Sequence, residues 1–513
     1  MPQEAFASFV VVLHPADNVA VLKRAVQAGT VLTGGGSSIT AAHDMPQGHK
    51  IAIAAVSDGA PVRKYGQVIG FARGGIAPGD HVHLHNLAMA DFARDYQFCV
   101  DARPVQYYAA DKRRYFQGYP RADGRAGTRN YVAIISSVNC SASVARFVAD
   151  RFKTPEFRRD FPNVDGVVAF THKSGCAAGD DAVALLQRTL AGMARHPNIY
   201  ASLLLGLGCE TCQVRLIAER HGLEAGTPRP ILMTIQECGG ISKTVEAATA
   251  ALRKLLPAAD AQRRRPEPLS KLVLAENCGG SDGNSGITAN PALGLAADEL
   301  VRHRGTVVLA ETPEIYGAEH LLTRRAATRE VGEKLVTLVR WWEEHARSHN
   351  ATIDNNPTPG NKEGGLTNII EKSLGAVAKG GQTPLMAVYE YAEQIAASGL
   401  CFMDTPGFDA ASMTGLAAGG CTIGVFTTGR GSVSGWKPMP CIKVATNTAL
   451  FERMSDDMDL NAGTILDGTE TLEQVGARIF EKMIAVAGGE RTKSELAGVG
   501  DEEFAPWELG PTF

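Results

Sequence analysis

The chain has 513 residues, enough for three or four domains with a core each. Its 51 basic and 55 acidic side chains nearly cancel, for a formal charge of −4, which excludes the basic footprint of a nucleic-acid binder or an anionic-membrane binder. No apolar run approaches the ~18 residues of a membrane span, and the acidic start MPQEAFASFVVVLHPADN has no basic region or small-residue cleavage pattern; a cytoplasmic protein whose ten Cys are thiols is expected.

Residues 1–102 hold short alternating runs (SFVVVL, HKIAIAAV, QVIGFA, HVHLHNL, QFCV) between turns such as SDGAPV and GGIAPGD. That pattern predicts a small all-β module, a compact barrel or clip. Within it, HVHLHN places His81, His83 and His85 at i, i+2 and i+4, one face of a strand, a spacing suited to a metal or an anion. His43 and His49 lie in the same module and can join them; an exposed polar face of a small barrel is the alternative. Residues 103–117 are aromatic and basic and read as a linker that docks on its neighbour.

A βα rhythm begins at residue 118, with NYVAII (130–135), VVAF (167–170), LLLGLG (203–208) and ILMTIQ (231–236) as strands of a first α/β unit ending at residue 260. The charged, Pro-flanked AADAQRRRPEP (258–268) marks a boundary. A second unit, 269–513, carries LVLAEN (272–277), a helix near 291–303, VVLA (307–310), a long helix across 317–348, then FMDT, TIGVFTT and IKVAT. The fold class expected is α/β: the β module, then two Rossmann-like units with mainly parallel sheets. Both units follow a strand with Asn-Cys, Asn139-Cys140 and Asn277-Cys278, a weak hint of duplication.

Five of these strands stop at polar or sulfur clusters: Thr171-His172-Lys173-Ser174-Gly175-Cys176, Cys209-Glu210-Thr211-Cys212, Glu237-Cys238, Cys278-Gly279-Gly280-Ser281-Asp282 and Glu311-Thr312-Pro313-Glu314. Ligands of open α/β sheets bind at the carboxyl ends of strands, so these clusters are expected at one edge. Cys140, Cys176, Cys209, Cys238 and Cys278 are candidate soft ligands, whereas Cys99, Cys401, Cys421 and Cys441 sit in apolar runs and read as packing. The single C-x-x-C at 209–212 lacks the second pair of a structural zinc site. Small-residue loops at 276–286 and 407–432 can wrap an anion with backbone N–H groups, but neither is a nucleotide motif. Arg430 is a candidate carboxylate clamp, and Arg125 and Arg129 in DGRAGTRN are further binding candidates or a solvated turn. The stretch 355–381, too polar and glycine-rich for a core element, reads as a lid or site loop holding Lys362 and Glu363.

GYPRADGRAGTRNYV, THKSGC, GLGCE, ENCGGSDGNSGITANP, DNNPTPGNKEGGLTNIIEKSLGA, FTTGRGS and IKVATNT resemble the altronate/galactarate dehydratase family of sugar-acid dehydratases. GHKIAIAAV, VRKYGQVIGFA and HVHLHN resemble the SAF-type β-clip domain that precedes its catalytic part. The resemblance covers nearly the whole chain. It implies removal of water from an aldonate, altronate before galactarate (an aldarate), to a 2-keto-3-deoxy acid, with a divalent metal, Fe(II) before Mn(II) or another ion. It also implies a small-molecule sugar-acid partner, with a homo-oligomer (a dimer) expected.

Such a reaction removes a weakly acidic proton α to a carboxylate, so the developing dianion needs electrostatic stabilisation, with a base for the proton and an acid for the leaving hydroxyl. His172, Lys173 and His85 are the catalytic candidates. Arg125, Arg129, Ser281, Asp282, Lys362 and Arg430 are the substrate-binding candidates, and a subset of His83, His85, Cys140, Cys176, Cys209 and Cys278 the metal ligands. Rival readings are an iron–sulfur hydro-lyase, with three strand-end Cys on a cluster, and a sugar-acid sensor without turnover.

Overall fold

The computed structural model describes residues 3–34, 37–90, 94 and 96–510. The N-terminal module is built of short strands. Its central antiparallel sheet takes Val10–Val11, then β1 (Val19–Leu22), β2 (Lys50–Ala52) and β3 (His81–Val82). The His motif is a strand only at its first two residues. Asn86 then closes a turn, its side chain accepting from the His83 N–H and donating to the His81 carbonyl.

The expected linker is partly a strand. β4 (Tyr115–Pro120) belongs to an antiparallel ribbon whose other strand lies far downstream. The first α/β unit follows: β5 (Tyr131–Ser136), α1 (Asn139–Asp150), β6 (Gly166–Phe170), β7 (Ile199–Gly206) and β8 (Ile231–Thr234). Its parallel sheet has the order β6-β5-β7-β8. Alternation along β5 explains its unbroken apolar run: Val132 and Ile134 enter one core, Ala133 and Ile135 the other.

Next comes β9 (Arg265–Pro268), which pairs back onto β4 through Phe116 opposite Glu267. The expected boundary segment and the end of the expected linker thus clasp each other. Arg114 reaches Glu481 and the Tyr108 hydroxyl donates to Glu299 at 2.9 Å, so this stretch docks on the second unit.

The second unit holds β10 (Val273–Cys278), β11 (Thr306–Leu309), α2 (Ile369–Val377), β12 (Leu385–Tyr389), β13 (Gly399–Met403), α3 (Asp409–Gly419), β14 (Ile423–Thr428), β15 (Cys441–Ala445) and β16 (Leu460–Asn461). Its seven-stranded sheet is parallel throughout, in the order β12-β13-β11-β10-β14-β15-β16. The long helix expected over 317–348 is two: a single turn at His320–Thr323 and a helix Arg329–Ser348 capped by the Thr328 hydroxyl. The lid reading of 355–381 is overturned for α2, every residue of which is buried. Among the described residues no helix is long and apolar enough to cross a membrane.

Candidate functional site

Strand order locates the ligand edge of the second unit. The chain leaves β10 toward β11 on one side and returns to β14 on the other, so β10 and β14 flank the topological switch point. The loops after them are tied together: the Gly280 carbonyl accepts the N–H groups of Gly429 and Arg430 at 3.0 and 2.8 Å. Asp282, buried, organises this crevice by accepting from Asn284, Ser285, Thr446 and Asn447. Its carboxylate is saturated by these partners and acts as a scaffold. The Ser281 hydroxyl beside it is buried without a partner.

The β module sits on this crevice. Gly48 and Gly283 touch backbone to backbone; a Cβ on Gly283 would lie 2.0 Å from the Gly48 carbonyl oxygen. Lys50 and Lys64, fully buried, each place Nζ 2.9 Å from the carboxylate of Glu371 on α2. Lys50 also donates to the Gly365 carbonyl at 2.7 Å.

Pairing of β2 with β3 inside the module brings three imidazoles together on the side that faces this crevice. His49 Nδ1 lies 2.9 Å from His81 Nε2, and the His83 ring lies 5.1 Å from that of His49 and 5.3 Å from that of His81. One ligand atom from each of the three falls within 4.8 Å of the others. Burial lowers all three, His81 to about 3 and His83 to about 4, so they present neutral nitrogens. His49 Nε2 is 3.0 Å from the Glu363 carbonyl, which fixes its proton there and leaves Nδ1 as a lone pair; His83 Nδ1 is buried with no partner. This donor set fits a divalent transition metal. His85, exposed on the same turn, has its ring 5.7 Å from His81. Across from the cluster, Arg430 donates a single bond to Glu363 at 3.1 Å, and Lys362 is half-buried one residue earlier.

Below the same loop lies a second polar cluster that sequence reasoning did not assemble. Cys278 Sγ, Glu311 and Glu314 converge within 4.8 Å, but Lys379 Nζ lies 2.8 Å from Cys278 Sγ and 3.2 Å from Glu311, and Lys372 Nζ lies 2.7 Å from Glu314. Two buried ammonium groups already occupy the place of a cation, so a metal ion fits poorly. Burial, with Glu314 beside them, pushes Glu311 and Asp409 well above the usual carboxylate range. Glu276 on β10 has both carboxylate oxygens buried without partners and is raised by the same desolvation.

The remaining sequence candidates lie elsewhere. Arg125 and Arg129 precede β5 and stand at the amino end of the strand, opposite the ligand edge. Arg125 pairs with Asp123 and donates to the Arg195 carbonyl, and Arg129, buried, pairs with Glu495 at 2.6 Å and donates to three carbonyls. Those contacts give Arg129 a structural role. His172 and Lys173 line a cavity of about 320 Å³ with Phe408, Ala411 and the tail from Glu502 to Glu508. Both His172 nitrogens are used, by the Ser136 carbonyl and the Ser174 N–H, and burial lowers it to about 4. Cys140, Cys176 and Cys209 are exposed in the first unit, apart from the His cluster.

Comparisons with known proteins agree along the chain. The family profile described as "Altronate/galactarate dehydratase SAF domain" matches residues 8–90, "D-galactarate dehydratase/Altronate hydrolase, second domain" matches 118–260, and "D-galactarate/Altronate dehydratase, C-terminal" matches 269–512. The sequence is 36% identical to the altronate dehydratase of Bacillus subtilis (strain 168) over 94% of this chain and 96% of that protein. It shares 36% with the altronate dehydratase of Escherichia coli (strain K12), over the same shares of each chain, and 35% with that organism's galactarate dehydratase (L-threo-forming), over 95% and 94%. A histidine-bearing β module seated on the switch point of a parallel sheet, with three profile matches in order, places this chain in the altronate/galactarate dehydratase family.

Proposed function

We propose that the protein is a hydro-lyase that removes water from a sugar acid, an altronate-type aldonate, to give a 2-keto-3-deoxy acid. A galactarate-type aldarate is the alternative substrate within the same chemistry. The observation that supports the site is the convergence of neutral His49, His81 and His83 over the crevice between β10 and β14. Those imidazoles would hold a divalent ion, iron(II) before manganese(II), which supplies Lewis-acid stabilisation of the charge that builds on the substrate carboxylate.

The chain's own residues do the rest. Arg430 has further N–H donors beyond the one given to Glu363, and these clamp the distal end of the substrate. The unpartnered Ser281 hydroxyl receives a sugar hydroxyl. His85, exposed beside the cluster, takes the α-proton on a ring nitrogen. Lys362 gives a proton to the β-hydroxyl as its C–O bond breaks; water leaves, and the enol product becomes the 2-keto acid. The test is a panel of aldonates and aldarates with anaerobic iron(II), read by 2-keto acid formation. Turnover by protein verified to be metal-free, or undiminished turnover in His83→Ala, would refute the site; no 2-keto acid from any substrate would refute the function.

A further inference from the structure

The first α/β unit has its own switch point, and the proposed hydro-lyase site leaves it unused. From β5 the chain goes to β6 on one side and returns to β7 on the other, so β5 and β7 flank that crevice. Cys140 follows β5 in the first turn of α1, and Cys209 follows β7. Cys176 comes from the loop after β6, which folds over the end of β5: Asn139 N–H donates to the Ser174 carbonyl at 3.0 Å, and a Cβ on Gly175 would lie 2.4 Å from the Ser137 carbonyl oxygen. The same loop reaches the β7 side, where Cys212 N–H donates to the Gly175 carbonyl at 3.1 Å. Three interlocked loops therefore present one thiol each at the place where open α/β sheets bind ligands.

These thiols are exposed, whereas Cys212, Cys278, Cys401, Cys421 and Cys441 are buried. Free Cys is among the most buried residue types, so packing does not explain three exposed at one crevice. Among the described residues, the Cys140 and Cys176 sulfurs have no hydrogen-bond partner, and Cys209 has only the Gln236 amide at 3.5 Å. A single tetrahedral ion with metal–sulfur bonds of about 2.3 Å needs thiolates roughly 3.8 Å apart. The three here do not gather within 4.8 Å. Neither Cys212, which is buried, nor Glu210, which is spent on Ser137 and the Gly208 N–H, closes the set as a fourth ligand. We infer that Cys140, Cys176 and Cys209 hold an iron–sulfur cluster of the four-iron type, with its fourth iron open to a small oxygen ligand.

The test is anaerobic reconstitution of the full chain with ferrous iron and sulfide, followed by assay of iron and acid-labile sulfide. About four of each per chain are expected in the wild type, with visible absorbance, and loss of sulfide in Cys140→Ser, Cys176→Ser and Cys209→Ser. Cys238→Ser and His83→Ala should keep it, which separates this site from the imidazole cluster. Should the serine variants fold poorly, alkylation of the reconstituted wild type gives the same answer: Cys140, Cys176 and Cys209 protected until the cluster is stripped, Cys238 labelled before and after. Absence of acid-labile sulfide, binding of zinc alone, or sulfide retained in all three serine variants would overturn the inference.

Discussion

Replacing Glu371 by Gln is expected to cost more stability than removing either lysine that contacts it. Its carboxylate receives Lys50 and Lys64 at 2.9 Å each, and the Thr367 N–H and hydroxyl at 3.0 and 2.6 Å, with no solvent contact on any of the three charged side chains beyond 1%. Two buried ammonium groups against one carboxylate already leave one positive charge in excess. Gln raises the excess to two and turns an N–H₂ toward one of them. Removing one partner of a buried pair costs about 3–5 kcal/mol, on the order of 10 °C for a cooperative block the size of the second unit. Lys64→Met costs less, since it leaves a balanced Lys50–Glu371 pair and substitutes an apolar chain of similar length; a loss of about 1–2 kcal/mol is expected. Lys50→Met falls between them, because it also strands the Gly365 carbonyl. Unfolding at neutral pH followed by tryptophan fluorescence, with limited proteolysis to detect release of the β module, measures the order. Glu371→Gln as stable as Lys64→Met would show that the triad does not couple the module to α2 in the way the charges require.

Four further outcomes are expected. Arg430→Lys should lower kcat/KM roughly tenfold, since an ammonium cannot offer two parallel N–H donors, with an unchanged melting temperature; the reverse pattern would make the residue structural. Removing residues 1–102 should abolish turnover and lower solubility, because it strips His49, His81 and His83 and bares Glu371; normal kcat and KM in the shortened chain would refute this. Burial lowers His196 to about 3 and His172 to about 4, both from 6.5. Protons then bind the unfolded chain first as pH falls, so their contribution is fully present above pH 6.5 and lost from there down to about pH 3–4; His196→Gln should flatten the fall in melting temperature between pH 7.5 and 5 (roughly the range His spans), and an unchanged slope would exclude it. Metal retained by His81→Ala with wild-type affinity, measured by competition with a chelator, would remove His81 from the ligand set; a loss of 10-fold or more is expected.

The fold was legible because its signals were local. Apolar runs stopping at small or polar residues gave both parallel sheets, since a strand buried on both faces has nowhere to place a polar side chain. The misread stretch, 355–381, hid its helix behind glycines and charges. Asn368 caps α2 by accepting the Glu371 N–H, and the pattern Asn-x-x-Glu before IIEKSLGAV was available as a helix start. What could not be read was that Glu371, Lys372 and Lys379 are buried in pairs whose partners lie about 60 to 320 positions away. Arg125 and Arg129 show a different limit: their charge is visible in the sequence, and so is their place before a strand, away from the carboxyl ends where ligands of open α/β sheets bind. The His81–His85 spacing pointed to the turn where the rings cluster, although the backbone leaves the strand after Val82; they cluster because β2 pairs with β3 and Asn86 closes the turn.

The Asn-Cys pair, weak as a repeat signal, takes on meaning from topology. Asn139-Cys140 open the helix after β5 and Asn277-Cys278 end β10, each the first strand of its sheet, so both lie near a switch point. The two thiols then part company through their surroundings alone. Cys278 is buried at 1% exposure with the Lys379 ammonium 2.8 Å away, and burial still pushes it up to about 11, so it stays a thiol within a balanced network. Cys140 is exposed, with no hydrogen-bond partner on its sulfur among the described residues and two more exposed thiols on the loops bonded to its own. A sulfur held by a buried ammonium is not free to ligate, whereas exposed thiols without packing partners are. On the inference drawn above, the same dipeptide serves a buried polar network in one sheet and ligation in the other, and what separates them is the Lys379 ammonium that the segment after α2 brings to Cys278.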